Sequence, residues 1–89
     1  MTRKARKAEL IKNFRNLGYR YEWDDFVWVL TRHFGFKLAH KKGSERAFIK
    51  NDLIFTAHEP HGGQSWVSNE SRRRAVNALA RAEFEEDER

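Results

Sequence analysis

The chain predicts an α+β fold of two layers, ordered α-β-β-β-α around a three-stranded antiparallel sheet, with an additional N-terminal helix in front. Three observations predict it. Apolar residues recur at helical spacing as far as Phe34, the period falls to two between Phe36 and Ala57, and helical spacing returns after a polar stretch carrying Pro60 and Gly62-Gly63. A chain of 89 residues suits a single domain, residues 1–89. Within it we expect an extra helical segment over 1–20, a core over 21–84 and an acidic tail over 85–89.

Leu10, Ile11, Phe14 and Leu17 set the first helix within residues 3–17, and Gly18 is its expected stop. A second helix begins near Trp23 or Asp24, with Asp24 and Asp25 suited to its positive end. Phe26, Val27, Leu30 and Phe34 form its apolar stripe and Gly35 closes it, which leaves Trp28 and Val29 to meet the first helix or a partner. In "FKLAH", Phe36, Leu38 and His40 fall on one face, and Lys37, Ala39 and Lys41 on the other. "KGSE" signals a turn, "RAFIK" and "LIFTA" are the next two strands, and Asn51-Asp52 between them fits a two-residue hairpin loop. The last helix is expected from Glu70 to Phe84, capped by Ser68 or Asn69, with Trp66 or Val67 packing back on it. Ala75, Val76, Leu79 and Ala80 form its predicted inner face.

Eighteen Lys and Arg against 13 Asp and Glu leave a net charge of +5, and the last seven residues hold five of the acids. The rest of the body is therefore more basic still, which makes a polyanion, RNA above all, the expected partner. No stretch reaches the roughly 18 apolar residues of a membrane span, and the basic N-terminus has no apolar segment behind it. The absence of cysteine excludes disulfides and thiolate metal sites and fits a cytoplasmic setting.

Candidate phosphate-binding residues are Lys41, Lys42, Ser44 and Arg46 around the first hairpin, and Arg72, Arg73 and Arg74 at the start of the last helix. Three arginines in a first turn oppose the helix dipole, at a cost of up to about 1 kcal/mol each, which contact with an anion would offset. His58 and His61, with cations around them, are the residue types that metal-free RNA cleavage needs. One group takes the 2′-hydroxyl proton, another protonates the leaving oxygen, and cations stabilise the phosphorane. His33 is expected at a helix end and His40 partly buried on its strand. The His58-x-x-His61 spacing lacks further ligands, so neither a metal nor any other cofactor is expected.

"WDDFVWVLTRHFGFKLAHKKGSERAFIKNDLIFTAHEPHGG" resembles the HicA-type toxins of bacterial toxin–antitoxin pairs. The resemblance covers about residues 23 to 82 and rests on Gly35-Phe36, Gly43-Ser44, Phe48, "LIFTA" running into His58, and the closing helix. It implies a fold like that of double-stranded-RNA-binding domains, an mRNA-cleaving activity independent of the ribosome, and a HicB-type antitoxin as protein partner. The family's catalytic histidine follows Gly-Ser, a position held here by Glu45, which joins His58 and His61 as a candidate catalyst. The first helix is a second departure. Two other readings are a non-catalytic RNA-binding module and a phage- or plasmid-type inhibitor domain that uses Trp23, Trp28 and the first helix against another protein.

Overall fold

The computed structural model describes the backbone of residues 3–61 and 65–87, and side chains within 6–61 and 65–84. The Gly62-Gly63 pair and the tip of the acidic tail lie outside the described residues. Helix α1 spans Arg3–Lys12 and α2 spans Trp23–Trp28, and α2 runs on into a π-helical turn, Val29–His33. Strands β1 (Lys37–His40), β2 (Glu45–Lys50) and β3 (Leu53–His58) form an antiparallel sheet in the order β1-β2-β3, and α3 (Asn69–Asp87) closes the chain. The fold is α+β with the predicted order α-β-β-β-α behind a first helix.

Helix α1 stops five residues before the expected Leu17. Asn13 donates its side-chain amide to the Glu9 carbonyl at 2.9 Å, and the Asn16 side chain accepts the Gly18 N–H at 3.0 Å. Both asparagines offer the backbone alternatives to the helical ladder, and the chain breaks into hydrogen-bonded turns. The second helix also differs from one regular α-helix. The Thr31 hydroxyl donates to the Val27 carbonyl at 2.8 Å, and the Phe34 N–H reaches back five residues to Val29. A hydroxyl bonded into the preceding turn loosens that turn, in keeping with the widened π geometry. Val29 is fully buried with Phe26 and Leu30, while Trp28 lies half-buried with the Lys7 ammonium 5.0 Å from its ring centre. Gly35, at φ +80°, then reverses the chain into β1.

Two tight turns set the sheet register. Gly43 takes φ +57°, and the turn closes through the Glu45 N–H to the Lys42 carbonyl at 2.9 Å. Asn51 takes φ +54° in the two-residue β2–β3 loop and brings Lys50 opposite Leu53. Phe48 and Phe55 stack at 5.1 Å on the helix-facing side, where Phe26 and Phe36 meet them edge-on at 5.7 and 5.5 Å. By alternation, Lys37, Ala39, Glu45, Ala47, Ile49, Ile54, Thr56 and His58 share the opposite face.

The N-terminal segment belongs to the same core. Leu10 and Phe14 are buried with Phe26, Phe48 and Leu79, and the Tyr21 hydroxyl donates to the Leu10 carbonyl. Arg72 is itself interior, at 1 % exposure. Its guanidinium donates to the carbonyls of Phe14 (2.8 Å), Asn16 (3.1 Å) and Tyr19 (2.5 Å), and lies 4.5 Å from the Tyr21 ring centre. Burial lowers the Arg72 pKa from its ordinary value and raises that of Tyr21 above the usual phenol range, so the pair is a cation beside a neutral phenol.

Helix α3 is capped by Ser68, whose hydroxyl accepts the Ser71 N–H at 3.1 Å. Its buried face is Ser71, Arg72, Ala75, Ala78, Leu79 and Ala82, whereas Val76 is only half-buried and Ala80 is exposed. The helix also closes the outer edge of β3. There the His58 N–H donates to Ser71 Oγ at 3.2 Å, and Arg74 Nη1 donates to the Thr56 carbonyl at 3.4 Å.

Candidate functional site

The register that begins at Lys50 and Leu53 ends by pairing Glu45 with His58. Glu45 turns its carbonyl toward β1, accepting the Lys41 N–H at 3.1 Å, while Ser44 accepts the Glu59 N–H at 2.9 Å. Glu45 and His58 therefore form a non-hydrogen-bonded pair, the kind in which Cα atoms stand about 4.5 Å apart and side chains come closest. Both lie on the face of the sheet away from the aromatic core, His58 exposed and Glu45 half-buried. Neither side chain has a hydrogen bond or ion pair among the described residues, so both are open to an incoming group.

Beside this pair an open cleft of about 320 Å³ is lined by Ser44, His58, Glu59, Pro60, His61, Trp66 and Ser68. Its walls come from the turn before β2, the segment leaving β3 and the approach to α3. Arg46 braces the first two, reaching Glu59 at 3.5 Å and the Gly43 carbonyl at 2.7 Å. The approach to α3 is fixed by an isolated bridge between Glu22 and Trp66 and by the Val67 N–H donating to Tyr21 at 2.9 Å.

The structure thus brings His58, His61 and Ser44 to one cleft with Glu45 at its margin, and Lys41 and Lys42 stand exposed in the adjoining turn. It does not gather the remaining cations there. Arg72 does not face solvent, because three backbone carbonyls and two aromatic rings hold it inside. The expected phosphate contact at Arg72 is therefore corrected to an internal role. Arg74 is bonded to Glu70 at 2.6 Å and to Thr56, and Arg46 is engaged as above, while Arg73 is exposed. The arginines also sit beyond the first turn, since α3 starts at Asn69 and Ser68 caps it, so the predicted conflict with the helix dipole is weaker than expected. His40 is exposed opposite Arg46 and outside the cleft, and His33 is exposed against the edge of Phe34.

Trp66 is the cleft residue that sequence reasoning missed. Val67 takes the buried position before the cap, and Trp66 stays 42 % exposed with the Arg20 guanidinium 5.8 Å from its ring centre. A tryptophan next to a glycine-bearing loop and a histidine pair was the available signal. Among the described residues no group of three or more His, Asp or Glu could hold a metal ion, and no helix is long and apolar enough to cross a membrane.

A carboxylate and an imidazole facing each other beside an aromatic cleft can move protons on either side of a phosphodiester. No family model, no curated protein and no solved structure matches this chain.

Proposed function

We propose that the protein binds RNA at the Glu45–His58 end of the sheet and cleaves it without a metal ion. The observation that carries this reading is the cross-strand pairing of Glu45 with His58, a residue that lines the cleft. Glu45 takes the proton of a 2′-hydroxyl, whose oxygen attacks the adjacent phosphorus. Protonated His58 gives its proton to the departing 5′-oxygen, leaving a 2′,3′-cyclic phosphate and a free 5′-hydroxyl. Lys41 and Lys42 draw the phosphate chain to the turn, the Ser44 hydroxyl donates to a phosphoryl oxygen, and Trp66 offers a ring on which an unpaired base stacks. The HicA-type resemblance supplies a setting for such chemistry, a cytoplasmic toxin acting on mRNA and held in check by a HicB-type protein.

The test is incubation of end-labelled RNA with purified protein in EDTA, comparing wild type, Glu45→Gln and His58→Ala. Cleavage that survives chelation, leaves cyclic phosphate ends and falls by about 10²-fold or more in either variant supports the reading. Cleavage unchanged in both variants overturns it. A second reading, RNA binding without cleavage, is favoured by the burial of Arg72 and by the pairing of Arg46 with Glu59 and of Arg74 with Glu70, which thins the cationic surface around the phosphate. Retained RNA with no products decides for it.

A further inference from the structure

The two edges of the sheet are finished differently. Ser71 and Arg74 of α3 close β3, but among the described residues no side chain is hydrogen-bonded to the outer edge of β1 in this way. Because Lys41 bonds to Glu45 of β2, alternation turns the backbone groups of Leu38 and His40 outward, and among the described residues they have no hydrogen-bond partner. Leu38, 42 % exposed, adds an apolar contact beside them. The chain that forms this edge is one-sided in charge, with Glu45 of β2 standing across from Lys41. From Phe26 to Ser44 the chain carries Arg32, Lys37, Lys41 and Lys42 and no acidic residue.

We propose that the outer edge of β1 is a docking site for an extended protein segment in which acidic and apolar residues alternate. Alternating N–H and C=O groups match another polypeptide strand, whereas a phosphate chain would use the donors alone. On the docked strand, acids stand over Lys37 and Lys41 on the open face, and an apolar side chain covers Leu38 on the other. The same lysines reject a second copy of this chain, since antiparallel self-pairing centred on Ala39 sets Lys37 against Lys41. The proposal is independent of RNA cleavage, and loss of that activity in a His58 variant leaves it standing.

The experiment uses an end-blocked octapeptide alternating Glu and Val, with an alternating Lys and Val peptide as control, titrated into isotope-labelled protein and followed by NMR and amide exchange. Expected are shifts and exchange protection at the Leu38 and His40 amides, unchanged signals at Thr56 and His58, and at least tenfold weaker binding of the control. The Lys37→Glu/Lys41→Glu variant, altered only at exposed side chains, is expected to reverse that preference. Equal binding of both peptides, or shifts confined to other elements, overturns the proposal. So does a dimer in ultracentrifugation whose β1 amides are already protected without peptide.

Discussion

The Arg72 guanidinium lies 4.5 Å from the Tyr21 ring centre and donates to three carbonyls of the segment between α1 and α2. One side chain from α3 thus ties the N-terminal region to the core. Arg72→Met keeps most of the volume but leaves the carbonyls of Phe14, Asn16 and Tyr19 without that donor. Asn16 still accepts the Tyr19 N–H, so two acceptors lose their donor, and at about 1–3 kcal/mol for a buried one a loss on the order of 3 kcal/mol is expected in urea unfolding. The RNA affinity of the folded fraction is expected to stay as it was.

Tyr21 gives a pH dependence with a defined sign. Its folded-state pKa is raised above the ordinary 10.0, chiefly by burial. Above that ordinary value the unfolded chain gives up the phenol proton while the folded chain keeps it, so the unfolded state binds fewer protons and stability falls as pH rises. Arg72, with its pKa lowered by burial, works in the opposite sense. Urea midpoints measured from pH 8 to 11 are expected to decline above about pH 10. Tyr21→Phe, less stable at neutral pH for want of its bond to Leu10, is expected to close the gap with wild type over that range.

The sheet was legible because its signals are local: alternation in "FKLAH" and "LIFTA", and turn residues at Gly43 and Asn51. The Glu45–His58 pair was legible in principle too. Once a two-residue loop sets Lys50 against Leu53, each step back along β2 is a step forward along β3 until Glu45 meets His58. Val29 follows Phe26 by three residues and so shared its helix face, a spacing the predicted stripe passed over. The fate of the arginine run was different. Which of Arg72, Arg73 and Arg74 points inward depends on where α3 starts and on carbonyls more than 50 residues away in the chain, which no local pattern records.

Lys41 and Lys42 are exposed cations in the turn beside the cleft, and their part in RNA binding is measurable by salt. Each phosphate contact on a single strand contributes about 0.7 to the slope of log affinity against log salt. Replacing both lysines with alanine is expected to reduce that slope by about 1.4 in fluorescence anisotropy titrations, and Arg73→Ala by about 0.7 if its exposed side chain also meets the strand. Both variants should unfold within about 0.5 kcal/mol of wild type, since these side chains are exposed.

Trp66 separates recognition of an unpaired base from recognition of duplex shape. Its ring is 42 % exposed in the cleft beside His58 and His61, with Arg20 close to it. Stacking one base on an aromatic ring contributes about 1–3 kcal/mol, so Trp66→Ala is expected to weaken binding of a short single-stranded RNA by roughly 5- to 150-fold. Trp66→Phe is expected to retain part of that affinity, because it keeps an aromatic face. A duplex of the same length offers no free base face, and its affinity is expected to change little with either variant. Anisotropy titrations of both RNAs against the three proteins make the comparison. An equal loss for duplex and single strand would assign Trp66 to the shape of the cleft wall, and stacking would then have no part in binding.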